Sequence, residues 1–91
     1  RKRNKMSYKI YILFSDIYRK TYVGFSENQL ERMEKHNSGQ VASTKKFRPW
    51  RIVYEESVEN YEEVRNRERY YKSGAGRRKI KAIFDDLGIN K

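Results

Sequence analysis

Between Tyr11 and His36 the chain holds two tyrosine hydroxyls, Tyr11 and Tyr22, one guanidinium, Arg32, and its single imidazole, His36. A guanidinium can hold a phosphate oxygen, while hydroxyls and an imidazole can position or deprotonate a water. Such a set can hold and hydrolyse a phosphodiester. A carboxylate for a metal ion would complete it, and Glu68 is the candidate. Tyr61, Val64, Glu68 and Tyr71 fall at i, i+3, i+7, i+10, one stripe of a helix on which Glu68 is the only acid. An acid on an apolar stripe is costly unless it is paired or binds a metal. Spacing leaves other readings open. Glu68 can instead pair with Arg65 or Arg32, Arg32 and His36 can be solvated, and strand tyrosines usually form the edge of a core. Trp50, after Pro49, reads as a core anchor rather than a base-stacking platform.

The elements that must position these groups follow from pattern. Tyr8 to Ser15 alternates, with Ile10, Ile12 and Phe14 on one face and Tyr11 and Leu13 on the other, which predicts a strand. Asp16 to Lys20 reads as a turn, and Thr21 to Phe25 as a second, antiparallel strand. Ser26-Glu27-Asn28-Gln29 has the form of a capping box, opening a helix with Leu30 and Met33 toward the core and Gly39 as its stop. Gln40 to Pro49 has no clear period and reads as a basic, mobile loop. Trp50 to Glu56 is a third strand, with Ile52 and Tyr54 on one side and Val53 on the other. Asn60 opens a helix to about Lys72, whose first-turn acids Glu62 and Glu63 suit the helix dipole. Ser73-Gly74-Ala75-Gly76 breaks it. A last helix runs from about Arg77, with Ile80, Ile83, Phe84 and Leu87 at i, i+3, i+4, i+7. The order β-β-α-β-α-α predicts an α+β fold, a small three-stranded antiparallel sheet flanked by helices.

With 91 residues the chain has room for one core, read here as a single domain over residues 6–91. Arg1 to Lys5, before Met6, are read as a tag or linker outside the fold. The balance of 22 Lys plus Arg against 12 Asp plus Glu gives a net charge of +10. Such a charge attracts a polyanion and releases its counterions, so nucleic acid is the expected partner. An anionic membrane is the lesser reading, because no helix opposes a wide apolar face to a lysine-rich one. There is no cysteine, hence no disulfide and no thiolate metal site. No apolar run approaches the roughly 18 residues of a membrane span, and a cytoplasmic location is expected.

The ordered set of residues resembles a known family. Lys9-Ile10-Tyr11 and, after ten intervening residues, Tyr22-Val23-Gly24 resemble the paired signature of GIY-YIG endonucleases. Asn28, the Arg32 to His36 spacing, His36-Asn37-Ser38-Gly39, Arg48-Pro49-Trp50, Arg67-Glu68, Lys72-Ser73 and Gly76-Arg77 extend the likeness to the small stand-alone bacterial members. It covers about residues 7 to 84. Lys9 replaces the family's Gly and Val23 its Ile, both loosely held positions, and Asn90 falls too near the end to match the late asparagine of larger relatives.

That resemblance implies hydrolysis of a nucleic-acid phosphodiester with one divalent ion, magnesium or manganese, whose single protein ligand would be Glu68. Arg32 would hold a non-bridging phosphate oxygen. Tyr11 would be the leading general base and His36 the competing one, with Tyr22 positioning water and phosphate. Lys45, Lys46, Arg48, Lys72 and Arg77 are candidates for nucleic-acid contact. The leading expectation is a DNA endonuclease. The alternatives are a basic module that docks nucleic acid without cutting it, and an RNA-directed nuclease. No groove-filling element for base readout is evident, so high sequence specificity is not expected.

Overall fold

The computed structural model describes residues 7–89. Arg1–Lys5, Met6 and Asn90, discussed above, lie outside the described residues. The elements are β1 (Tyr8–Ser15), β2 (Lys20–Ser26), α1 (Gln29–Ser38), β3 (Arg51–Val58), α2 (Tyr61–Tyr71) and α3 (Gly74–Leu87), in the expected order. A short 3-10 turn, Lys45–Phe47, precedes β3. The strands form one antiparallel sheet in the order β2-β1-β3.

β1 is the central strand, and its alternating apolar residues bury both faces. Ile10, Ile12 and Phe14 join Val23, Val58, Val64, Tyr71 and Phe84 on the side of α2 and α3. Tyr11 and Leu13 join Trp50, with Met33 of α1 and Ile52 packed against them, on the other. Ile10, Ile12, Leu13 and Phe14 are fully buried, and each such side chain stabilises the fold by about 1.5–3 kcal/mol. Tyr11 is therefore carried on the most firmly fixed segment of the sheet.

Several local expectations are corrected. In β3, Val53 and Tyr54 both pack toward α2 and α3 while Ile52 packs on the opposite face. The cause is a bulge: Ile12 pairs with Tyr54 but Leu13 with Ile52, leaving Val53 as the extra residue. The cap of α1 is Asn28, whose Oδ1 accepts from the Glu31 amide at 3.1 Å, while Ser26 ends β2. α1 buries the stretch carrying Met33 and His36, and Leu30 lies a turn earlier, 73% exposed. Tyr61, on the first turn of α2, is exposed, as is Leu87 in the last turn of α3.

Ser73 is a cap rather than the start of a gap. Its Oγ accepts from the Gly76 amide, so α3 begins at Gly74. A Cβ on Gly76 would lie 2.0 Å from the Tyr70 carbonyl oxygen, so the absent side chain is what lets α3 pack onto the end of α2. Asn60 caps α2 as expected, accepting from the Glu63 amide at 2.9 Å. β3 is tied to α2 through Glu56, which accepts from Arg67 Nε at 3.1 Å and from the Tyr71 hydroxyl.

The segment from 40 to 49, expected to be mobile, is anchored. Thr44 is fully buried, and the Trp50 indole N–H donates to its carbonyl at 2.9 Å. Asn37 brackets the Trp50 backbone, accepting from its N–H at 2.6 Å and donating to its carbonyl at 3.1 Å. These bonds fix the end of α1 to the start of β3. Among the described residues no helix is long and apolar enough to cross a membrane.

Candidate active site

The site is built on the face of β1 that carries Tyr11. His36, one turn from the end of α1, is fully buried against it, and its Nε2 lies 3.3 Å from the Tyr11 hydroxyl. Its Nδ1 lies 2.8 Å from Oγ1 of Thr44, which donates to the Val41 carbonyl at 3.4 Å. A hydroxyl that has given away its only proton must accept, so Nδ1 carries the imidazole proton. Nε2 is left as the acceptor for Tyr11. The result is a directed chain, Tyr11 to His36 to Thr44 to the Val41 carbonyl.

Tyr22 on β2 completes the aromatic wall, its ring centroid 5.0 Å from that of His36 in an edge-on contact. Gly24 pairs with Tyr11 across the sheet. A Cβ at Gly24 would fall 2.9 Å from the Tyr11 hydroxyl and 2.9 Å from the Tyr22 ring. Glycine there makes room for both tyrosines. At the other end of α1, Gly39 adopts φ +87°, a left-handed conformation that suits a helix stop.

Arg32 lies one turn before His36 on α1, and its charge reaches both His36 and Tyr11. Its Nε is buried without a hydrogen-bond partner among the described residues. A buried donor left unpaired is costly, so this is where an anionic acceptor is best accommodated. Burial pushes the Tyr11 hydroxyl above its ordinary pKa of 10.0, against the opposing pull of Arg32, while Tyr22 and Glu68 add to the rise. Burial, reinforced by Arg32, holds His36 below its ordinary 6.5. At neutral pH the imidazole is therefore uncharged and able to accept a proton.

Glu68 of α2 is brought to the same region, close enough for its charge to be felt at Tyr11. Its side chain is 22% exposed, and both of its oxygens face cations: Lys72 Nζ at 3.1 Å and Arg65 Nε at 3.8 Å. The Arg65 pairing anticipated from spacing forms, and Lys72 joins it. Among the described residues no cluster of three or more His, Cys, Asp and Glu side chains could hold a metal. A single, partly exposed carboxylate suits magnesium or manganese, hard ions that keep most of their water shell. It does not suit zinc, which takes three or four protein ligands.

The five residues singled out in the sequence thus occupy one region. The five cationic candidates do not. Lys45, Lys46 and Arg48 are exposed beyond the end of α1, with the Arg48 guanidinium lying over Gly39. Lys72 and Arg77 line a separate cleft between β2 and α3. Pattern missed Thr44 and Asn37. Thr44 stands in a stretch without period. Asn37 stood in the quoted His36-Asn37-Ser38-Gly39 run, without a signal that its side chain reaches Trp50.

The model of the GIY-YIG catalytic domain family matches residues 7–81. The chain belongs to that family. GIY-YIG proteins are nucleases, generally dependent on a divalent metal and acting on nucleic acid. Similar chains are UPF0213 proteins. One of Pediococcus acidilactici is 35% identical over 65 residues, covering 68% of this chain and 66% of the relative. One of Pediococcus pentosaceus is 38% identical over 63 residues, with the same coverage. One of Staphylococcus aureus is 38% identical over 63 residues, covering 68% of this chain and 77% of the relative. The chain thus spans just under two thirds of the length of the Pediococcus relatives.

Proposed function

We propose that this GIY-YIG domain is an endonuclease that hydrolyses DNA phosphodiesters with one magnesium or manganese ion held at Glu68. The observation that carries the reading is the meeting, in one region, of the Tyr11–His36 hydrogen bond, the unpartnered buried N–H of Arg32 and the Glu68 carboxylate. Arg32 holds a non-bridging oxygen of the scissile phosphate through a planar fork of donors. The Tyr11 oxygen takes a proton from the attacking water while its own proton passes to Nε2 of His36. The water oxygen bonds to phosphorus, and the bond from phosphorus to the leaving oxygen breaks. The bound ion supplies positive charge that stabilises the phosphorane and the leaving oxygen.

A phenol whose pKa is raised by burial is a weak base alone. With a neutral imidazole behind it, Tyr11 relays the proton and never has to persist as a free phenolate. His36 is buried with both ring nitrogens engaged, which favours Tyr11 for the contact with water. Tyr22 orients water and phosphate beside it.

Tyr11→Phe keeps the buried ring and removes the relay, and is expected to lower kcat by about a hundred- to ten-thousand-fold. Because burial lowers the His36 pKa, the imidazole is protonated, and unable to accept, only on the acid side. The acid limb of the wild-type rate should therefore lie below pH 6.5. Steady-state cleavage measured against pH for both proteins tests this. A near-normal rate in Tyr11→Phe would remove Tyr11 from the reaction.

A further inference from the structure

We propose that Lys72 is a counter-ion that closes the Glu68 site until substrate draws it away, so that metal and nucleic acid load together. The inference rests on the reading of Glu68 as the metal ligand and adds to it the residue that governs its loading. Lys72 is the C-cap residue of α2, and its Nζ lies 3.1 Å from Glu68 Oε2, one turn back on the same helix. An incoming ion has to compete with that ammonium for the same oxygen. Arg65, on the other oxygen, stands off at 3.8 Å, so Lys72 is the nearer competitor.

Lys72 also borders a second feature. A cleft of about 880 Å³ runs between β2 and α3, with Ile80, Phe84 and Ile89 in its apolar wall and Lys72 and Arg77 among its cations. Its size is that of a small-ligand site, with room for more than a single phosphate group. Thr21, on its β2 side, has a buried hydroxyl oxygen without a hydrogen-bond partner among the described residues. Lys72 lines the cleft and pairs with Glu68, so the cleft reaches the site through that ion pair. A backbone phosphate of the substrate strand entering it would meet Arg77 and draw the Lys72 ammonium off Glu68. The freed carboxylate is then available to the ion. Two ligands that each release the same ion pair must favour each other's binding.

The test is Mn2+ binding, followed by calorimetry, without and with a phosphorothioate oligonucleotide that resists cleavage. Four proteins are compared: wild type, Lys72→Met, Arg77→Met and Glu68→Ala. Lys72→Met should bind Mn2+ alone roughly three- to five-fold more tightly than wild type, the scale set by an exposed ion pair. The oligonucleotide should tighten Mn2+ binding to wild type by up to about the same three- to five-fold, the worth of that ion pair, and to Lys72→Met by much less. Arg77→Met removes one positive charge from the same cleft without touching Glu68 and should leave affinity for Mn2+ alone unchanged. Equal Mn2+ affinity in wild type and Lys72→Met, or an oligonucleotide gain in Lys72→Met as large as in wild type, would overturn the counter-ion role while Glu68→Ala still lost the ion. Unaltered Mn2+ binding in Glu68→Ala would instead remove the metal assignment itself.

Discussion

Glu68→Ala is expected to abolish cleavage while leaving DNA affinity within a few-fold of wild type. The fold should survive. The Glu68 carboxylate is partly exposed, and its two partners sit at i−3 and i+4 on its own helix. Pairs of that kind contribute about 0.2–1 kcal/mol each. The core beneath is formed by Val64 and Tyr71, not by Glu68. Binding should hold or improve slightly, because the change removes a negative charge and frees Lys72 and Arg65 for phosphates. Catalysis should not hold, since Glu68 would be the one protein ligand to the ion. Cleavage, fluorescence anisotropy with labelled DNA and thermal unfolding, measured on one preparation, separate these effects. Normal cutting by the variant would show that the metal is held elsewhere or is not needed.

Arg32→Lys should be the second most damaging change although it keeps the charge. Lysine offers a compact ammonium where the guanidinium offers a rigid fork, including the buried Nε that has no partner among the described residues. Removing one such donor from a site of developing negative charge typically costs about a hundred- to a thousand-fold in kcat. The expected loss lies in kcat, with KM changed far less, because the positive charge that attracts the strand remains. Single-turnover rates at saturating DNA measure it. A rate within about three-fold of wild type would reduce Arg32 to a surface charge.

The parts of this molecule that were legible in the sequence are those where one local pattern has one meaning. The two faces of β1 could be read directly from its period of two, and Asn60 and Gly39 mark helix ends by chemistry specific to caps. The errors arose where tertiary packing chose between equivalent patterns. Ser26 and Asn28 are both good caps, and the antiparallel pairing that carries β2 on to Ser26 decided for Asn28. The bulge at Val53 inverts the faces of β3, and no residue type announces a bulge. Gly76 read as a helix breaker, because the close approach of the Tyr70 carbonyl that requires it depends on how α2 and α3 meet.

The candidate site was legible as a set of residues rather than as a geometry. Tyr11, Tyr22, Arg32, His36 and Glu68 could be named from the ordered motifs. The direction of the proton chain could not, because it depends on Thr44, eight residues past His36 in a stretch without period. The ion pair between Lys72 and Glu68 was equally hidden. The i, i+4 spacing allows the pair, yet the same lysine was equally suited to contacting phosphate.

The most direct test of a metal-dependent nuclease is cleavage of labelled single-stranded, duplex and branched DNA by the wild-type protein with magnesium, with manganese and with chelator. Cutting in either metal that stops in chelator is the predicted result. Binding that weakens with salt, ignores magnesium and never leads to cutting would contradict it, and would leave a basic docking domain on the GIY-YIG fold.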